Sequence, residues 1–336
     1  MKAWQIQRAE GPAGLELVEQ ESPKPGSQEV LVRIRAVSLN YRDLGTTMRE
    51  RPGNLPLPFT LCSDGAGEVV EVGAGVTKWK AGDRVIPLFF QDWPAGGMTH
   101  AIMKSALGGA LPGVLAEQVL IREDGLVRMP DSLSFEQAAT LPCAALTAWH
   151  ALVGHGHLQS GDTVLTLGTG GVSLFALQFA KLHGARVIIT SSSDEKLARA
   201  RELGADEVIN YRTKPDWERE AFALTQKRGV DHVIELGGAG TLQKSLDAVR
   251  YGGRVSLIGV LTGFEGTVNP WPIIARSLTV QGIYVGNREH MEAMLRAIDL
   301  HKLQPVIDRV FPFEEARAAF EHMAAGAHFG KIVIRV

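Results

Sequence analysis

One stretch constrains this chain more than any other: Asp162 to Glu195, DTVLTLGTGGVSLFALQFAKLHGARVIITSSSDE. Thr163 to Leu167 is a short run of β-formers, and Gly168-Thr169-Gly170-Gly171 follows at once. From Val172 to His183 apolar residues recur at helical spacing (Val172, Phe175, Ala176, Phe179, Ala180), and Gly184 suits the position just past a helix end. Arg186 to Thr190 is a second β-branched run. A strand, a glycine turn, a helix and a second strand within about 30 residues form a βαβ unit, the setting in which a dinucleotide fingerprint has meaning.

The glycines have separate chemical reasons. Gly168 permits the tight turn out of the strand. Gly170, lacking Cβ, lets a pyrophosphate approach the backbone. The amides opening the helix, at Gly171 and Val172, point toward the phosphates with the helix dipole behind them. The third position is Ser173, so the match is G-x-G-x-x-S. The alternative is an ordinary strand-to-helix turn; the strand before, the helix after and the second strand on schedule favour the nucleotide reading.

With 336 residues, two domains are expected. Lys and Arg total 35 against 37 Asp and Glu, so a net charge of −2 gives nucleic acid and anionic membranes no support as main partners. Two cysteines, Cys62 and Cys143, suit a reducing, cytoplasmic setting rather than a disulfide framework. The first residues, MKAWQIQRAEG, lack the apolar core of a signal peptide, and no apolar run is long enough to span a bilayer.

Residues 1–128 read as β-rich, a small barrel or sandwich, with strands at Glu29–Val37, Gly67–Val72, Arg84–Leu88 and Leu115–Ile121. Phe89 to Gly113 reads as a long irregular segment, either functional or a solvated insertion. A helix opens at Ser134 with a capping box to Gln137 and bends at Pro142. After the fingerprint, strands are expected at Glu207–Tyr211, Val230–Leu236, Gly253–Val260 and Leu278–Val285, separated by helices. Asp194 is read as a helix N-cap. Six strands make a doubly wound parallel sheet, residues 129–286, and residues 287–336 are expected to return to the first domain.

The chain resembles the medium-chain dehydrogenase/reductase superfamily, in its zinc-free quinone oxidoreductase-like branch. The residues carrying the resemblance are Pro25-Gly26, Glu29 to Val32, Asn40-Tyr41-Arg42-Asp43, Gly65 to Val70, Gly82 to Val85, Leu146 to Trp149 and Gly168 to Val172. It implies an α/β protein: a GroES-like β-barrel catalytic domain plus a Rossmann domain that binds NADP(H) or NAD(H). Zinc-containing relatives take a first ligand from a Cys near Ser38 to Asp43, where this chain has none. The second is the His of Gly-His-Glu, where it reads Cys62-Ser63-Asp64; the third matches Cys143. No metal is therefore expected. Asn40 and Tyr41 stand where the family lines its nicotinamide cleft. Tyr41 is a candidate proton donor, Asn40 a candidate for orienting substrate or ribose, and Asp64 a weaker catalytic candidate; turn and packing roles are the alternative.

NAD-specific sites carry an acid at the end of the second strand to take the ribose hydroxyls. Here that strand ends in Ser191-Ser192-Ser193, with Lys196 one helical turn on and Tyr211 after the third strand. The missing acid favours NADPH, and the set resembles the NADPH pocket of quinone reductases. Thr147, Gly237, Gly259, Val260, Tyr284 and Val285 are further cofactor candidates, since open α/β sheets bind ligands at the carboxyl edge. Expected function is NADPH-dependent hydride transfer to a quinone, enone or related carbonyl. Alternatives are zinc-free alcohol oxidation and non-catalytic NADPH binding. The uncharged Leu278 to Val285 strand is expected to sit at a sheet edge and pair two copies into a homodimer.

Overall fold

The strand Glu29–Ser38 is the spine of the first of two units. Val30, Val32, Ile34 and Ala36 are buried, while Arg33 is exposed and Arg35 reaches Glu68 at 2.8 Å. One edge of this strand pairs antiparallel with Asp64–Val72 along its length. The other edge is shared, by Gln118–Arg122 over its first half and by Lys331–Arg335 over its last residues. The computed structural model describes residues 1–48 and 57–336. Within these, the first unit is Met1–Leu146 with Gly286–Val336, and the second is Thr147–Val285.

Among the described residues, the first unit has a seven-stranded and a three-stranded sheet. The larger runs Ile307–Pro312, Lys331–Arg335, Glu29–Ser38, Asp64–Val72, Arg84–Pro87 and Leu126–Arg128, with Gln118–Arg122 as the branch. The smaller is Leu15–Glu19, Lys2–Ile6 and Phe59–Thr60. Ile6, Leu15, Ile34, Leu61, Phe320 and Ile334 belong to one buried cluster, so the C-terminal return fills the same core as the N-terminal strands. The expected strand Leu115–Ile121 begins only at Gln118. The segment Phe89 to Gly113 is exposed from Pro94 to Ala101 but is not structureless. Phe89, Phe90 and Trp93 are buried against one another, and a short helix, His100–Met103, is capped by Thr99.

The helical run expected from Ser134 opens with its capping box to Gln137. It widens to a π-turn over Leu141–Ala145 and again over His150–Gly154. Pro142 has no N–H to donate back along the helix, and the wider turn absorbs the missing bond.

In the second unit, six parallel strands lie in the order Glu207–Asn210, Arg186–Ser191, Thr163–Thr166, Val230–Glu235, Val249–Leu257, Thr279–Gly282. Numbered along the chain, that order is 3-2-1-4-5-6, the dinucleotide-binding arrangement. Val164, Leu165, Ile188, Ile189, Val233 and Ile234 are fully buried, as expected for central strands covered on both faces. The fifth strand lies earlier than Gly253–Val260. The sixth is shorter than Leu278–Val285: Gly282 ends the ladder, and Val285 adopts a left-handed backbone (φ 55°) with its carbonyl 2.7 Å from His150 Nδ1. No described helix is long and apolar enough to cross a membrane.

Candidate active site

Because all six strands of the second unit run the same way, their carboxyl ends share one edge. Every cofactor candidate after a strand lies there: Gly168 to Val172, Ser191 and Ser192, Tyr211, Gly237, Gly259 and Val260, Tyr284 and Val285. Gly168 has φ 78°, a conformation that favours glycine, and its N–H donates to Thr190 Oγ1. Gly170 is the N-cap of the helix Gly171–Leu182 and provides no side-chain cap. The first amides of that helix are left for a ligand, and a Cβ added at Gly170 would project into open space. These are the features a pyrophosphate needs. Ser173 is buried and donates to the Leu167 carbonyl at 2.7 Å, so it packs helix against strand where the usual motif has glycine.

Ser191 is buried at the end of its strand, and the Tyr211 N–H donates to its carbonyl, keeping the second and third strand ends together. Ser193, not Asp194, caps the next helix, accepting from the Lys196 N–H. Asp194 is instead held by Asn210 Nδ2 at 2.7 Å. The hydroxyl reaches the N–H of the third helical residue from the last extended position, and that position is Ser193. Thr147 is buried in the short helix Leu146–Trp149. One residue not recognised in the sequence organises this edge. Glu235 is fully buried and accepts from the Gly237 and Gly238 amides and the Thr241 and Ser245 hydroxyls, which fixes the turn after the fourth strand.

The catalytic candidates lie in the first unit. Tyr41 opens the helix Tyr41–Thr47 and is 56% exposed. Asn40 is its N-cap, and the Asp43 carboxylate accepts from the Asn40 N–H at 2.8 Å. Asp64 begins its strand, fully buried, accepting from Ser63 Oγ (2.7 Å) and from the Cys143 N–H (3.0 Å). Lys331, also missed in the sequence, is buried beside them and donates to the Leu39 carbonyl and to Asn40 Oδ1, each at 2.6 Å. Its only sequence signal is a charge opening the apolar run Lys331-Ile332-Val333-Ile334. Burial pushes Asp43 up to about 6 against the pull of Arg42, and raises Asp64 against the pull of Lys331.

The same cluster tests whether a zinc ion fits. Cys62 is fully buried, and burial followed by the nearby Asp43 and Asp64 pushes its thiol well up; burial and Asp64 do the same to Cys143. A cysteine binds zinc as the thiolate. Among the described residues no three or more His, Cys, Asp or Glu are grouped to hold a metal, and Lys331 already supplies a cation. The residues do not fit zinc.

Family models match over both units: an alcohol dehydrogenase GroES-like domain at residues 26–131 and a zinc-binding dehydrogenase domain at 171–299. A zinc-type alcohol dehydrogenase-like protein of Schizosaccharomyces pombe is 43% identical over 92% of this chain and 91% of its own. The chain belongs to the medium-chain dehydrogenase/reductase superfamily. It is an oxidoreductase of that type, using a nicotinamide cofactor. A quinone oxidoreductase of Pseudomonas aeruginosa is 33% identical, covering 96% of each chain. Among solved structures, an NAD-dependent alcohol dehydrogenase superposes with a TM-score of 0.91 at 36% identity over all of both chains. The quinone oxidoreductase of Coxiella burnetii gives 0.81 at 30% identity, covering all of this chain and 99% of its own.

Two outcomes follow from this geometry. Gly170→Ala is expected to leave thermal stability unchanged but to raise the Kd for nicotinamide nucleotide at least about tenfold, because its methyl enters the phosphate space. Gly168→Ala should in addition lose about 1–2 kcal/mol of stability from the left-handed backbone. Fluorescence titration and denaturant unfolding check both. Secondly, Asp43 holds its proton more tightly folded than unfolded, so the folded state binds more protons between pH 4 and 6. Stability therefore falls as pH rises through that window. Asp43→Asn keeps the acceptor for the Asn40 N–H and should flatten that fall, measured by urea unfolding at a series of pH values.

Proposed function

We propose that this protein is an NADPH-dependent oxidoreductase that reduces a quinone, an enone or a related activated carbonyl without a metal. The observation that carries the reading is the cluster at Asn40. Where zinc-containing relatives hold their metal, this chain has a neutral amide, two buried carboxyls and a lysine. Neutral donors stabilise an oxyanion whose charge is delocalised far better than a localised alkoxide. That favours substrates in which the accepted charge spreads over a conjugated system. Bound NADPH supplies a hydride, which the substrate takes with a proton to give the hydroquinone or saturated carbonyl and NADP⁺. Asn40 is proposed to orient substrate or ribose, exposed Tyr41 is the proposed proton donor, and Asp64 holds the residues around them.

NADPH is favoured by the end of the second strand. Ser191, Ser192 and Lys196 stand there without an acid, and the nearest acid, Asp194, is engaged by Asn210. Ser191, Ser192, Lys196 and Tyr211 are the proposed contacts to the 2′-phosphate and adenosine. Gly168 to Val172 are assigned to the pyrophosphate. Thr147, Gly237, Gly259, Val260, Tyr284 and Val285 are assigned to the rest of the cofactor. A second reading, NAD-dependent alcohol oxidation, draws on the alcohol dehydrogenase neighbours.

The proposed assembly is a homodimer through the sixth strand, Thr279–Gly282, which has one sheet partner among the described residues; in the segment leading to it Phe264 (83%), Trp271 (64%) and Ile274 (69%) are exposed. Sedimentation is expected to show a dimer that Ile274→Lys weakens; a monomeric wild type would refute it.

Fluorescence titration should show NADPH binding at least about tenfold tighter than NADH, with Lys196→Ala abolishing the preference. The protein should carry no stoichiometric zinc and oxidise NADPH saturably with a quinone or enone. A preference for NADH, or zinc at one per chain, would move alcohol dehydrogenation to first place.

A further inference from the structure

Val285 stands in a backbone conformation that its side chain opposes. Eight of the described non-glycine residues have positive φ, and Val285 (φ 55°) is the one among them that is β-branched. A β-branched side chain crowds the backbone in the left-handed region, so such a residue persists only where its surroundings impose it. The Val285 carbonyl oxygen lies 2.7 Å from His150 Nδ1, a buried contact. A carbonyl oxygen only accepts, so this ring nitrogen carries the proton and donates it. The imidazole is itself held in place. His150 is 9% exposed, and its ring stacks on that of His155 at 5.5 Å. Its own carbonyl accepts the His155 N–H at 2.8 Å, where the helical run widens into its second π-turn. Single widened turns of this kind recur at functional sites.

The place of this contact in the sheet gives it a role. The sixth strand ends at Gly282, and the Ile283 N–H still donates to the Leu257 carbonyl at 2.9 Å. The chain then turns at Val285, leaving Tyr284 43% exposed. In a sheet of order 3-2-1-4-5-6 a dinucleotide lies across the crevice where the order reverses. Its adenosine half lies toward strands two and three, and its nicotinamide half toward strands four to six. We propose that His150 is the positioning residue for the nicotinamide end of the cofactor: its Nδ1–H fixes Val285 in the left-handed turn and so sets where Tyr284 and Val285 meet the nicotinamide. This rests on the assignment of those two residues to the cofactor made above, and not on the choice of substrate. Thr147, also assigned to the cofactor, lies one turn before His150 in the same helical run. One run thus contributes a contact and aligns two others.

The test compares, by calorimetric titration, NADPH with 2′-phospho-ADP-ribose, which lacks only the nicotinamide. His150→Leu removes the donor and keeps a buried side chain. It is expected to weaken NADPH binding about tenfold and that of 2′-phospho-ADP-ribose by less than about twofold. His150→Asn, whose Nδ2 can take the place of Nδ1, should bind NADPH within about threefold of the wild type. The crystal structure of nucleotide-free His150→Leu gives a readout that needs no cofactor: Val285 is expected to leave the positive-φ region. A Val285 that stays left-handed there, or an equal loss for both ligands, would overturn the proposal, because His150 would then act otherwise than through the turn. Glycine adopts this conformation without being held. Adding Val285→Gly to His150→Leu should therefore bring NADPH affinity to within about threefold of Val285→Gly alone. A persisting loss of about tenfold overturns the proposal as well, and this double variant carries the test if His150→Leu does not fold. Should NADH prove the tighter ligand, NADH and ADP-ribose take the same places. A loss confined to the ligand that carries nicotinamide would then refute the NADPH reading and leave the role of His150 standing.

Discussion

The short pairing of Lys331–Arg335 with Glu29–Ser38 sets the chemistry of the first unit. Val333 lies opposite Ser38 and Ile334 opposite Val37. That register carries Lys331 past the end of the spine strand, to the turn where Leu39 and Asn40 leave it. Because side chains alternate along a strand, slipping by one residue would turn the ammonium to the opposite face and bring Ile332 in its place. Two buried carboxyls would then lose a cation that lowers both. The register is held by the core: Ile332 and Ile334 are fully buried in the same cluster as Ile34 and Phe320. Apolar packing thus determines where a single charge falls.

The second unit solves a different problem by direction alone. Residues from 168 to 285 meet at one edge because parallel strands end together, with no need for direct contacts among them. What the side chains add is fine adjustment. Glu235 illustrates it: a buried carboxylate would be costly, but four donors from Gly237, Gly238, Thr241 and Ser245 satisfy it. The turn they belong to is then held in one shape. A loop held this way can meet a cofactor without first being ordered, which spares binding that entropy.

Much of this was legible in the sequence, for identifiable reasons. The helix Gly171–Leu182 and the strand Glu29–Ser38 match their expected bounds within a residue, since period and end signals agree there. The fingerprint turn was legible because glycine has a local meaning. Lys2–Ile6 and Leu15–Glu19 were not, because their strand character depends on partners outside their own segment. The sixth strand looked longer than it is, because apolarity from Leu278 to Val285 does not reveal where the ladder stops; the left-handed turn at Val285 does. Asn40 and Asp64 were visible as candidates by their motif. Lys331 was not, because nothing local separates a lysine that opens a strand in solvent from one that is buried against a turn nearly 300 residues earlier.

Cys143 shows how a retained residue can lose its apparent meaning. From the motif alone it is the one surviving metal ligand. In the structure its backbone N–H, available from any residue but proline, is the group that reaches Asp64. Its thiol is held protonated by burial and by that same carboxyl. A metal would have to reverse both effects and overcome repulsion from Lys331. The arrangement is self-consistent without one. Lys331 supplies the positive charge, and Asp64 receives hydrogen bonds from Ser63 and the Cys143 backbone. A site whose positive charge is a buried lysine rather than a metal suits a carbonyl that already delocalises its charge.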